Sequence, residues 1–154
     1  MFEDIKEQLS QLANMDEHQL LYDAISDSEI QKDIIALQKK QLYDDGVKAD
    51  GTPTGGYAPV TIEKWKPLAL LNGMDGRSDH MTGKNSGETY DSMRVENDLD
   101  GFTIVADDRN NVFGQAFKYG SLIGGLGLTD ESVSIIVPEV EQRIIEMYSE
   151  LLAA

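Results

Sequence analysis

The first 46 residues place apolar and polar side chains at the spacing of amphipathic helices. The apolar positions of the first stretch recur every three or four residues, which predicts a helix over 2–12. Asp16 is a candidate N-cap for a second helix, and the spacing from Ser26 to Glu29 fits the capping box of a third. The third helix is expected to end at Gly46, because glycine tolerates the left-handed conformation in which helices commonly end.

Turn-forming residues dominate the middle of the chain. Glycine, proline and aspartate crowd 46–59 and 73–87, which predicts two loops with a short helix between them. Thr61 is the expected cap of that helix, and Pro67 is expected to break or kink it because proline lacks an amide hydrogen. A loop as long as 73–87 suggests a role in contacting something else.

The last third combines a hairpin with a long helix. Strand formers at 90–95 and 102–105 flank a turn at 97–101. Two strands are marginal in water, so the hairpin needs a third strand, a packed helix or a neighbouring subunit. After Thr129, a candidate cap, apolar residues step by three and four and predict a long amphipathic helix with a candidate kink at Pro138: Val133, Val137, Val140, Ile144, Met147 and Leu151.

These elements predict an α+β, helix-dominated fold with N-terminal helices, a small antiparallel sheet and a long C-terminal helix. The 154 residues suit a single domain, 1–154. No apolar run approaches the ~20 residues that a membrane span needs, and the start is acidic, so the chain is expected to be made in the cytoplasm and to enter no membrane. Zero cysteines exclude disulfides and thiolate sites.

The net charge of the chain restricts the kinds of molecule that it can bind. The formal net charge is -15, and such a chain repels phosphate backbones, so specific nucleic-acid recognition is not expected. Two interpretations of the carboxylates stay open. They form a solvated surface, or they form an acidic wall past which DNA slides without sticking.

The motifs that often carry catalysis are incomplete. The glycine–lysine pair at 83–84 lacks the Ser or Thr that a phosphate loop needs next, and the glycines at 124–127 miss the dinucleotide spacing. His18 and His80 have no second imidazole at a ligand spacing. We therefore predict no catalytic, cofactor or metal site and no enzyme activity. Trp65 has two interpretations, as a core residue or as a partner-binding anchor.

Several short motifs follow one another along the chain. They are residues 41–46, then Tyr57-Ala58-Pro59 with 61–64, Thr82-Gly83 with 90–92, 117–120, and 126–129. In this order they resemble the tail-completion or head–tail joining proteins of tailed bacteriophages, a group related to the virion-morphogenesis proteins of Mu-like phages. The resemblance covers most of the chain from Gln41 to Leu152. It divides the chain into an N-terminal helical arm, 1–45, and a neck-protein-like core, 46–154.

The resemblance implies a non-enzymatic virion protein at the head–tail junction. It implies a homo-oligomeric ring through whose lumen DNA passes, and partners among further copies, a portal or adaptor ring protein and tail proteins. The candidate subunit-interface residues are Tyr57, Pro59, Trp65, Thr82, Tyr90, Phe117, Tyr119 and Leu128. The competing hypotheses are a small acidic inhibitor or nucleic-acid mimic that binds a basic protein, and an enzyme with an unrecognised carboxylate site.

Overall fold

The computed structural model describes residues 2–13, 16–84, 86–107 and 122–153. Its elements are α1 (Phe2–Ala13), α2 (Glu17–Ile25), α3 (Ser28–Lys40), a π-helical turn (Gln41–Asp45), a second π-helical turn (Thr61–Trp65), α4 (Lys66–Leu71), α5 (Glu88–Asp91), β1 (Arg94–Asp98), β2 (Gly101–Val105) and α6 (Asp130–Ala153). The expected α+β, helix-dominated fold with a small antiparallel sheet and a long C-terminal helix is confirmed. None of the described helices is both long and apolar enough to cross a membrane.

Aspartates cap α2 and α3. Asp16 accepts a hydrogen bond from a first-turn amide of α2 at 2.9 Å, as predicted. At α3 the cap is Asp27, which accepts from two first-turn amides at 3.0 and 3.2 Å. The predicted capping box at Ser26 is wrong, because Ser26 ends α2 and its hydroxyl donates to the Tyr22 carbonyl at 2.8 Å.

The helical run that begins with α3 ends at Gly46, as predicted. Gly46 adopts φ 64°, and a Cβ placed there would lie 2.7 Å from the ring of His80. With its proton on Nε2, His80 donates to the carbonyls of Tyr43, at 2.7 Å, and Leu42, at 3.2 Å. Both the left-handed backbone and the close imidazole therefore require glycine at this position.

The hairpin lies further along the chain than the sequence predicts, and the predicted turn at 97–101 is wrong because Asn97, Asp98 and Gly101 belong to the strands and only 99–100 connect them. β1 and β2 pair from Arg94 with Val105 to Asp98 with Gly101, and the hairpin packs against α2 and α3. The expectation of a strand beginning at Tyr90 is wrong, since 88–91 form a helical turn closed by the Ser92 hydroxyl on the Thr89 carbonyl at 2.7 Å. A packed helix is therefore what supports these two strands.

The main core lies where α2, α3, the hairpin and α6 meet. Five isoleucines form it: Ile25, Ile30, Ile34, Ile104 and Ile136. Two buried glutamines of the α3 run, Gln38 and Gln41, tie this core to the segment before α6. Gln38 exchanges hydrogen bonds with the Gly125 carbonyl (3.1 Å) and the Gly127 amide (2.6 Å). Gln41 bonds the Gly127 carbonyl (2.8 Å) and the Thr129 amide (3.0 Å).

α6 begins at the predicted cap and is the long C-terminal helix that the sequence predicts. The Thr129 hydroxyl accepts from the Ser132 amide at 3.2 Å, which confirms the cap. The buried residues of α6 are Ser132 and Ile136. Of the apolar residues that step by three and four along α6, Val133 and Val137 are exposed, so the most buried face lies about one residue to the side of that stripe.

The helix between the two loops also differs from the expectation. Within the described residues no side chain caps it, so the predicted Thr61 cap is wrong. The helix also continues through Pro67 to Leu71. A proline ring clashes with the carbonyl four residues earlier in a regular α-helix. The wider π-helical turn that precedes α4 relieves this clash, and Pro67 then sits in the first turn of α4, where its missing amide hydrogen is tolerated.

Candidate subunit interface

The helical segment 60–71 reverses the usual burial pattern. Its large apolar side chains are exposed, from 41% for Ile62 to 85% for Leu71. We call this set the platform: Val60, Ile62, Trp65, Leu68, Leu70 and Leu71. The one buried side chain between 60 and 71 is a lysine, Lys66, at 7%. An exposed apolar surface of this kind is typical of a site covered by another molecule.

Trp65 lies in the platform and not in the core. Its side chain is 43% exposed, so the interpretation of Trp65 as a core residue is wrong for the chain by itself. The Lys64 ammonium lies 4.8 Å from the centroid of the indole ring, a cation–π contact worth about 0.5–1 kcal/mol at an exposed site. The role of Trp65 as a partner-binding anchor stays a prediction, and Pro59, another candidate interface residue, is also exposed.

Lys66 forms an ion pair between the platform segment and the loop that follows it. Its ammonium lies 3.9 Å from Asp75 Oδ2, and the two side chains are only 9% and 10% exposed. This is an ion pair too long for a hydrogen bond. The same ammonium lies 4.5 Å from the centroid of the Tyr57 ring. A buried charge needs such partners, because its removal from water is costly.

Tyr43 connects Asp75 to the end of the α3 run. Its hydroxyl donates to Asp75 Oδ1 at 2.7 Å, and this hydrogen bond, with burial, raises the pKa of Tyr43 above its usual value. The Arg77 guanidinium and the Lys84 ammonium lie 4.9 and 5.0 Å from the centroid of its ring. The loop 73–84 is therefore held to Tyr43 from several sides.

The backbone of Thr82 forms hydrogen bonds with two more tyrosines, Tyr57 and Tyr90. Its backbone amide donates to the Tyr57 hydroxyl at 3.1 Å, and its carbonyl accepts from the Tyr90 hydroxyl. Burial raises the pKa of Tyr90 well above its usual value. Tyr43 and Tyr90 also meet edge to face, with centroids 6.5 Å apart. We call the whole set the polar cluster: Tyr43, Tyr57, Lys66, Asp75, Thr82 and Tyr90.

The structure brings together three of the eight candidate interface residues, Tyr57, Thr82 and Tyr90, in the polar cluster. Thr82 and Tyr90 are buried within the chain, so they support the platform from behind. Leu128 lies apart and packs against the isoleucine core. Phe117 and Tyr119 lie outside the described residues.

Sequence reasoning missed Tyr43, Lys66 and Asp75. A signal was present, because Lys66 stands in an otherwise apolar stretch that follows Trp65. Its partner is less visible, since Asp75 is one of many aspartates and is brought to Lys66 only by the course of the loop.

α6 carries a second apolar surface. Besides its buried face, it exposes Val133, Val137, Ile145 and Leu152, whose spacings of four, eight and seven residues place them along one side of a helix. We call these four residues the outer stripe. Glu141 lies on the same side, four residues from Val137 and four from Ile145.

Charge is distributed unevenly between the two surfaces. Residues 46–84 carry five cationic and four acidic side chains, a net of +1: Lys48, Lys64, Lys66, Arg77 and Lys84 against Asp50, Glu63, Asp75 and Asp79. Residues 130–154 carry six acidic side chains and one cationic, a net of -5: Asp130, Glu131, Glu139, Glu141, Glu146 and Glu150 against Arg143. The platform is therefore set in one of the few stretches of the chain that is not acidic.

Neither a metal centre nor a known relative indicates a function for these surfaces. No group of three or more potential ligands is placed to hold a metal ion within the described ranges. No family model, curated protein or solved structure matches the chain. The platform, the polar cluster and the charge distribution are therefore the features from which a function can be inferred, beside the motifs of the sequence.

Proposed function

We propose that this chain is a structural virion protein of a tailed phage that forms a ring in the head–tail connector. The observation that carries the proposal is the platform, an apolar helix that faces outward while its lysine is buried. Assembly into a ring would cover such a surface, since each subunit of a cyclic oligomer presents one patch to each neighbour. No catalytic role is proposed.

The polar cluster supports an interface role because it holds the platform rigidly. A mobile apolar segment would lose conformational entropy on binding, whereas a fixed one binds with a smaller loss. The ion pair of Lys66 with Asp75 and the hydrogen bonds of Tyr43 and Tyr57 fix the segment from the inner side. The apolar side chains are thus presented to a partner in a defined arrangement.

The net charge of -15 suits a ring through which DNA passes. A lumen lined by carboxylates repels the phosphate backbone and leaves the duplex free to move. On this proposal the further partners are a portal or adaptor ring protein on one side and tail proteins on the other. The site of action is the virion neck, after synthesis in the host cytoplasm.

Quantitative mass spectrometry of purified phage particles tests this proposal. The chain would be scored against the major capsid protein, with the portal protein as an internal standard for a ring. We expect a few to about a dozen copies per particle, the number of subunits in a closed ring. Absence from particles that contain capsid and portal peptides would overturn the proposal.

The charge also favours a second candidate, a small acidic inhibitor or nucleic-acid mimic. A mimic binds a basic protein tightly and in a salt-sensitive manner. It would therefore release basic DNA-binding proteins of the host from a duplex-DNA column at low salt, and a variant with a charged platform would do so equally well. A ring subunit would leave those proteins on the column.

A further inference from the structure

We infer that the platform of one copy docks on the outer stripe of α6 in the next copy, with Lys64 of the first beside Glu141 of the second. This inference rests on the proposed ring function and names the two surfaces that would build the ring. The occupant of the platform is thus a second copy of this chain.

Each of the two surfaces combines apolar side chains with one charge on the same side of its helix. On the platform, Lys64 lies one helical turn before Leu68, and Leu71 follows a further turn along the same side. On α6, Glu141 lies one turn from Val137 and one turn from Ile145. Each surface therefore places one charge between or beside apolar side chains, and the two charges are opposite.

Both charged groups are available for such a pair. Lys64 and Glu141 are exposed, and within the described residues neither makes an ion pair. The Lys64 ammonium has only the ring of Trp65 as a close partner there. A contact across two copies would add a charge-assisted partner without breaking an existing one.

Charge decides which pairing of surfaces two copies adopt. α6 against α6 would bring two stretches of net -5 together, and Glu141 would face Glu141. The exposed charges between 60 and 71 are Glu63 and Lys64, which cancel and give the platform no net attraction for a second platform. The platform against α6 instead opposes Lys64 to a stretch of net -5, and unlike charges at an interface favour that pairing.

The dimensions and symmetry fit a repeating contact. α6 has 24 residues and is about 36 Å long at 1.5 Å per residue, which is long enough to receive the platform and still pack on α2 and α3 with its inner side. Because the platform and the outer stripe are different surfaces, after the first contact one copy still has its outer stripe uncovered and the other still has its platform uncovered. Such head-to-tail contacts continue from copy to copy and close into a ring when the rotation permits.

Crosslinking between copies tests where the platform docks. A photo-crosslinking amino acid would replace Leu71, and the variant would be mixed with isotope-labelled chain at about 1 mM, a concentration at which even millimolar affinity populates contacts. We expect crosslinked peptide pairs with one labelled and one unlabelled member, in which position 71 is joined to residues 130–153. Pairs joining two platforms, pairs joining the platform to another segment, or no pairs between copies would overturn the inference.

Charge reversal tests the pair itself. We expect Lys64→Glu and Glu141→Lys each to weaken self-association about fivefold by sedimentation equilibrium, and the double variant to return within about twofold of the original. Leu68→Asp is expected to weaken it at least tenfold, because it places a charge in the apolar contact. Circular dichroism would verify that each variant keeps its helical content.

Matched variants separate the pair from the net charge. Lys32→Glu and Glu17→Lys make the same charge changes at exposed positions of α3 and α2, and we expect them to change association less than twofold. Lys64→Glu combined with Glu17→Lys restores the net charge but not the pair, and should stay about fivefold weaker. Full recovery in that combination would overturn the inference.

The outcomes distinguish this inference from the ring function on which it rests. Ring-like copy numbers in particles, together with crosslinks that avoid α6, would remove this inference and leave the function. Crosslinks to α6, together with absence of the chain from particles, would remove the neck function and leave a self-associating protein.

Discussion

Replacing the buried lysine by methionine, Lys66→Met, tests whether the polar cluster holds the platform. The substitution keeps an unbranched apolar side chain that is one atom shorter and removes the ammonium. Asp75 would then stay buried beside the platform with Tyr43 as its one hydrogen-bond donor among the described residues. A buried carboxylate without its cation is costly, so the folded state should lose stability.

The size of the loss follows from the geometry of the pair. Removal of one partner from a well-formed buried ion pair costs about 3–5 kcal/mol. Here the ammonium and the carboxylate are 3.9 Å apart, and Asp75 keeps the Tyr43 hydroxyl. We therefore expect Lys66→Met to lower the free energy of unfolding by about 2–3 kcal/mol, somewhat below the range for a close pair.

The matched control is the double variant Lys66→Met with Asp75→Asn. The asparagine carbonyl can still accept from Tyr43, and no unpaired charge remains, so most of the lost stability should return. Urea unfolding monitored by circular dichroism gives both values and a coupling energy of about 1–2 kcal/mol. The reasoning is refuted if Lys66→Met costs under about 0.5 kcal/mol, or if Asp75→Asn adds to the loss instead of offsetting it.

Three further predictions concern other parts of the fold. Gly46→Ala should cost about 2–3 kcal/mol in urea unfolding, since it adds backbone strain at φ 64° and a contact 2.7 Å from His80; an unchanged midpoint would contradict this. Gln41→Leu should cost about 2–4 kcal/mol and speed hydrogen exchange at the Thr129 amide, which loses its buried acceptor; unchanged protection would count against it. A hydrogen bond shared with Asp33, together with burial, raises the pKa of Glu139 to about 6. The folded state therefore binds this proton more tightly than the unfolded state, and stability falls as pH rises from about 4.5 to about 6. Because Glu139 is largely exposed, the fall is a few tenths of a kcal/mol after solvent screening, and Tm measured across this pH range should show it in the natural chain but not in Glu139→Gln.

The helices were predictable where amphipathic spacing and a cap coincide. α2 begins after Asp16 and the α3 run stops at Gly46, as expected, because each position has one residue suited to the task. At the start of α3 two neighbouring residues can cap, and the sequence does not say that Ser26 bonds back to α2 while Asp27 caps α3. The predicted strand at Tyr90 was wrong for a different reason. The preference of tyrosine for strands is outweighed here by its burial against the end of the α3 run.

Three of the candidate interface residues, Tyr57, Thr82 and Tyr90, share the polar cluster, and their role at a subunit interface stays a prediction. The exposure of Trp65 was not predictable, because the expectation of core packing assumes that a large aromatic ring is covered by its own chain. The pair of Lys66 with Asp75 was also hidden, because it depends on how a loop of small and polar residues returns to the helix.

The buried lysine and the exposed leucines are two aspects of one arrangement. A short helix rich in leucine gains free energy by turning those side chains toward its own protein. If the helix rotated in this way, a leucine would replace the Lys66 ammonium beside Asp75. The contact between Lys66 and the Tyr57 ring would also be lost. The polar cluster therefore makes the inward-facing leucine arrangement unfavourable and keeps Leu68 and Leu71 outward. A buried pair of this kind can select one arrangement without adding much net stability, and here the arrangement leaves Leu68 and Leu71 exposed.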